Sequence, residues 1–226
     1  MTNIQILSSA DFDAIVPESP WDFSDFRRLL DAVDGKCAAQ EHDLAGRIAC
    51  KPGCHHCCRR IPTILPLEWA WIRDSEQRNR SMESARPSRR SPTETSSGRA
   101  DSEVAPSHAV RPEEDQRSVS KGDRRILSSD LHPDEALCDH LDARGLCRIY
   151  GARPLICRTH GMLILSEEGL DHCPWNFQDL EEVDESLVFR LENLHETLLR
   201  LNLSFLARSY PSKCRELAGV RVEFQS

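Results

Sequence analysis

The chain has 226 residues, ten cysteines and a formal net charge of -8. That length suits one domain or two small ones, and the acidic balance argues against a general nucleic-acid binder, which carries a basic face. No stretch approaches the roughly 18–20 apolar residues of a membrane helix, and Met1 to Val16 shows no basic segment leading into an apolar one, so neither a membrane span nor a secretory signal is expected. A cytosolic location follows as the expectation, and in reducing cytosol this cysteine density favours metal ligation over disulfides.

In chain order, Trp21 to Ile48 reads as a helix. Phe23, Phe26, Leu29, Leu30 and Val33 recur at helical spacing, with Asp22 or Ser24 as caps. Cys37, among alanines, reads as a small buried side chain. Residues 50–58 then read Cys-Lys-Pro-Gly-Cys-His-His-Cys-Cys. Cys54, Cys57 and Cys58 form a C-x2-C-C run, with Cys50 preceding at C-x3-C spacing. A two-residue gap lets a tight turn aim two thiolates at one metal. Adjacent side chains diverge, so Cys57 and Cys58 point to two metal positions or to a cluster of several irons. Pro66-Leu67-Glu68 opens a second helix through Trp69, Trp71 and Ile72.

Residues 75–125 hold eleven Ser, eleven Lys/Arg, nine Asp/Glu, no aromatic and no Cys. Such a segment buries too little apolar surface to offset its ordering entropy, and it reads as a disordered insert. Cys138, Cys147, Cys157 and Cys173 follow. Asp142-Ala143-Arg144-Gly145 is a turn that lets Cys138 and Cys147 face each other, and Arg153-Pro154 marks another that brings Cys157 back. Arg148, Arg153 and Arg158 stand close enough in sequence to offset thiolate charge. His55, His56, His140, His160 and His172 each lie within three residues of a cysteine. Leu180, Val183, Leu187, Leu191, Leu194, Leu198, Leu201 and Phe205 predict one long helix ending near Pro211, its stripe packed on the N-terminal helix. His195 lies beside the stripe as an ordinary helical residue, and Cys214 falls in a polar tail away from the site.

These elements predict a mainly α fold: a single small, irregular, metal-stapled domain over residues 1–226, with flanking N- and C-terminal helices and a long disordered insert. The candidate metal ligands are Cys50, Cys54, Cys57, Cys58, Cys138, Cys147, Cys157 and Cys173, for zinc or iron, including an iron–sulfur cluster.

The run Cys54-His55-His56-Cys57-Cys58, the Pro66-Leu67-Glu68 after it, and Cys147-Arg148-Ile149-Tyr150-Gly151-Ala152-Arg153-Pro154-Leu155-Ile156-Cys157-Arg158 together resemble the CxxCxxCC cysteine-cluster family, also called the YkgJ type and described as zinc- or iron-chelating. The resemblance implies a metal or iron–sulfur site built from these cysteines. Cys50 stands four positions before Cys54, where the family name implies three. An enzyme remains a second reading. Cys50-x3-Cys54-x2-Cys57 has the spacing of the radical S-adenosylmethionine cluster motif, although a partial β/α barrel should then follow, and flagellin lysine methylases share the cysteine-cluster motif. A third reading is an interaction module whose metal only holds its shape.

Overall fold

The helix that precedes the first cysteine run follows the predicted periodicity. In the computed structural model, which describes residues 4–15, 21–51, 53–59, 62–84, 137–178, 180 and 182–224, it is the second of six α-helices among those described residues. The first is α1 (Ser9–Ile15), which buries Phe12, and α2 (Ser24–Asp43) follows. Phe26, Leu30, Val33, Cys37 and Gln40 are the buried residues of α2, at alternating four- and three-residue steps. Helix α3 (Pro66–Ser84) starts on a proline, whose missing N–H costs nothing in the first turn. Helix α4 (Leu155–Thr159) is short, α5 (Leu191–Ser209) is long, and α6 (Cys214–Leu217) is a single turn.

Two small sheets, absent from the sequence reading, complete the scaffold. In the first, β6 (Val220–Glu223) lies between β1 (Gln5–Leu7), which is parallel to it, and β2 (Thr63–Ile64), which is antiparallel. In the second, β3 (Ile164–Ser166) lies between β4 (Gly169–Asp171) and β5 (Phe189–Arg190). The described residues are mainly helical, as expected, and build no β/α barrel. No helix among them is long and apolar enough to cross a membrane.

Helix α5 packs on α3 and α2. An aromatic cluster fills the junction: the Phe23 ring stacks on Phe205 at 5.9 Å and meets Trp71 edge-on at 5.4 Å. The buried Gln40 ties α2 to the second sheet. Its Nε2 donates to the Leu187 carbonyl at 2.7 Å, and its Oε1 accepts the Leu163 N–H at 2.9 Å.

The C-terminal helix is shorter than its stripe suggested. Leu180, Val183 and Leu187 precede it in irregular chain, because the Asp184 carboxylate accepts the Ser186 N–H at 2.8 Å and turns the backbone away from helix. Leu198, Asn202, Phe205 and Leu206 are the buried residues of α5, and His195 is an exposed residue of that helix. The predicted insert also needs trimming, since residues 75–84 continue α3. Arg78 pairs there with Asp74 one turn earlier, at 2.9 Å. The remainder of that predicted insert, residues 85–125, lies outside the described residues.

Candidate metal centre

Backbone hydrogen bonds bring the two cysteine segments together. The first is a tight coil in which the Cys54 N–H donates to the Lys51 carbonyl at 2.9 Å and the Cys58 N–H to the His55 carbonyl at 3.0 Å. Gly53, at φ +88°, makes the turn that an L side chain would strain. Its last turn, His56–Arg59, is a 3-10 helix carrying Cys57 and Cys58. The Cys138 N–H then donates to the Cys58 carbonyl at 2.8 Å.

Beyond Cys138 the chain forms the predicted turn. The Asp142 N–H donates to the Leu146 carbonyl at 2.8 Å, and the Asp142 carboxylate accepts the N–H groups of Arg144 and Leu146 at 2.8 and 2.9 Å. A bridge pairs Leu141 with Cys147, returning Cys147 toward Cys138. Its tip lies against the first segment, since a Cβ on Gly145 would stand 3.1 Å from His55 Nδ1. A 3-10 turn at Tyr150–Ala152 and then Pro154 lead into α4, which carries Cys157.

Glu68 joins the scaffolds of the two segments. It is buried at the third position of α3. One carboxylate oxygen accepts the Leu65 N–H at 3.0 Å and the other accepts the Leu155 N–H, the first of α4, at 2.8 Å. One acid thus caps the helix after the first cysteine run and the helix that presents Cys157. Burial raises its carboxyl above the ordinary range, opposed by these two backbone donors.

The thiols stand close enough to affect one another. Cys58 is acted on by Cys57, Cys138 and Cys157, and Cys138 in turn by Cys147. Cys57 also acts on Cys147 and Cys157. Cys50 is acted on by Cys54, Cys173 and Cys57. All ten cysteines are free thiols. Among the described residues, no group of three or more His, Cys, Asp or Glu side chains is arranged to hold a metal ion. The donor chemistry nonetheless fits the metals the sequence suggests, since soft sulfur selects zinc and iron over magnesium or calcium.

A hydrogen bond from Cys58 lowers the Cys57 thiol, and the same pairing raises Cys58, so the pair gives up one proton more easily than two. Burial, then Cys57 and Cys138, push Cys157 up to about 12, and burial is also the main cause raising Cys50, Cys138 and Cys147. A bound cation would oppose that effect of burial and favour the thiolates. Arg153 supplies part of that field at Cys57, Cys147 and Cys157, and Arg148 acts on Cys138 and Cys147. Arg158 acts on Cys37. It is buried, pairs with Asp34 at 2.5 Å and donates to the carbonyls of Gly151 and Arg153 at 2.6 and 2.9 Å.

Of the five histidines, His160 is exposed and acts on Cys57. His56 stacks on the half-exposed Trp175 at 4.4 Å, and His172 Nδ1 lies 2.9 Å from the Cys173 carbonyl oxygen. His140 is buried against Phe224. Cys37 is buried as expected, pushed up to about 11 by burial, with its Sγ 3.6 Å from the Arg158 carbonyl. Cys214 heads α6 and packs against the core. Two close neighbours of these cysteines lay outside the sequence reading. Asn176 is fully buried beside Cys50, and Gly161 stands between Cys50 and Cys173. The sequence signal for them is faint: Asn176 closes a Cys-Pro-Trp-Asn turn, and Gly161 follows α4 at its end.

A small mixed scaffold that closes two cysteine-bearing coils against each other defines a cysteine-cluster domain. The CxxCxxCC family, described as a putative zinc- or iron-chelating domain, matches residues 49–183. The match spans more than half of the chain, and the chain belongs to this family. No curated protein and no solved structure matches it.

Proposed function

We propose that this is a cytosolic metal-binding protein whose eight cysteines hold zinc or iron in two adjoining sets. The inner set is Cys58, Cys138, Cys147 and Cys157. The outer set is Cys50, Cys54 and Cys173, joined by Cys57. The Cys57 and Cys58 thiols, hydrogen-bonded to each other, would part to serve different ions, as two four-thiolate sites or as parts of one larger iron centre. The observation that carries the reading is the hydrogen bond from the Cys138 N–H to the Cys58 carbonyl, which ties the two cysteine segments together. The reading requires the thiols to rotate about their χ1 bonds onto the ion. Metal then contributes much of the folding free energy and staples an otherwise small core.

The test is elemental analysis of protein prepared with and without air, beside its visible absorption spectrum. Bound zinc or iron is expected, lost together with solubility in Cys57→Ser and in Cys157→Ser. Colour marks an iron–sulfur centre, and a colourless zinc protein marks a structural site. Absence of metal from both preparations contradicts the reading.

A further inference from the structure

Cys50 is the least regular member of the outer set by sequence, yet it has the most specific surroundings. Asn176 is 0% exposed, and its carboxamide is held at both ends. Oδ1 accepts the Ala49 N–H at 2.9 Å, and Nδ2 donates to the Gly161 carbonyl at 2.7 Å. These two contacts decide which end is the amine, because a flip would set donor against donor and acceptor against acceptor. The amine end then also donates to Cys50 Sγ at 3.4 Å. Cys50 Sγ also donates to Oδ1, at 3.8 Å. The Asn176 N–H donates to the Cys173 carbonyl at 2.9 Å, so the same residue is tied to the Cys173 backbone.

Gly161 supplies the space. At φ +90° its backbone suits glycine, and a Cβ there would stand 3.3 Å from Cys173 Cβ and 3.6 Å from Cys50 Sγ. Cys50 and Cys173 therefore flank one bare point of backbone, whose carbonyl orients the amide.

We infer that Asn176 is the positioning residue of the outer thiol set, its buried carboxamide holding Cys50 Sγ beside Cys173 across Gly161. The inference rests on the metal reading above and deepens it. Buried donors aimed at a metal-ligating side chain orient it and tune its basicity, and losing one typically costs about 10–100-fold in metal affinity. Cys50 thereby enters the centre through its surroundings despite its unusual spacing.

The test is an anaerobic cobalt(II) titration of the full chain, read by thiolate-to-cobalt absorption, with far-ultraviolet circular dichroism as the check on folding. Asn176→Ala should weaken one class of cobalt sites by about 10–100-fold and spare the other. Asn176→Asp, which keeps the side chain's shape but removes the donor, should weaken the same class. Gly161→Ala, with Asn176 intact, should do likewise and covers the case in which neither Asn176 variant folds. In a Cys50→Ser background, Asn176→Ala should add nothing, because the amide acts through that sulfur. Wild-type titrations for both Asn176 variants would overturn the inference, as would an undiminished Asn176→Ala loss in the Cys50→Ser background. A wild-type chain that binds no cobalt would sink the metal reading itself, and this inference with it.

Discussion

The Glu68 carboxylate accepts the Leu155 N–H at 2.8 Å across 87 positions of sequence. The same group accepts the Leu65 N–H, so the start of α3 and the start of α4 hang on one buried acid. Glu68→Ala leaves both N–H groups buried without their acceptor. A hydrogen bond to a charged group contributes about 1.5–3 kcal/mol, so the loss of both should be about 3–6 kcal/mol. Glu68→Gln keeps a single acceptor oxygen and should cost about half as much. Urea unfolding followed by circular dichroism measures both, and an alanine variant within about 0.5 kcal/mol of wild type would contradict the double cap.

Arg158 and Asp34 make an unequal pair. The Arg158 side chain is 6% exposed and the Asp34 side chain 50%. Arg158→Ala removes the donors of two carbonyls and the partner of a carboxylate, and should destabilise by about 3 kcal/mol. Asp34→Asn, at a half-exposed partner, should cost less than about 1 kcal/mol. Arg158→Lys should not restore stability, because an ammonium lacks the planar fork that reaches all three oxygens. Thermal unfolding of the three variants checks this order, and equal losses for Arg158→Ala and Asp34→Asn would refute it.

His140 gives the fold a dependence on acid. Burial holds its imidazole below the ordinary value of 6.5. The unfolded chain therefore takes up a proton at a higher pH than the native chain does. Stability is fully present above the unfolded value and falls as pH drops below it toward the lowered native value, by at most about 1.4 kcal/mol per pH unit from this group. His140→Phe should flatten that part of the slope. The check is chemical unfolding of both chains with a chelator and a reductant present, between about pH 7.5 and 5.5. Identical slopes would show that His140 contributes nothing to the acid sensitivity.

The helices around the site were legible where local periodicity governs. Phe26, Leu30 and Val33 mark the buried face of α2, and Pro66 marks the start of α3. Residues 180 and 182–190 continue the same leucine spacing yet are not helical. Asp184 turns the chain there, and Phe189 and Arg190 pair with β3, and such pairing leaves no periodic signal at two residues' length. The first sheet was invisible for a related reason. Gln5 pairs with Val220 and Thr63 with Glu223, contacts between short segments far apart in sequence. At the site, the cysteines announced themselves by spacing and the Asp142–Gly145 turn by composition. Glu68, Asn176 and Gly161 did not, because a buried acid, a buried amide and a close backbone approach are defined by partners from distant segments.

The central claim is that eight particular thiols, and not Cys37 or Cys214, surround metal. Site-resolved alkylation of the native protein, read by mass spectrometry with and without a strong chelator, tests it most directly. The account predicts that Cys50, Cys54, Cys57, Cys58, Cys138, Cys147, Cys157 and Cys173 are protected until metal is removed and react afterwards. Reaction of those eight at the same rate with and without the chelator would contradict it.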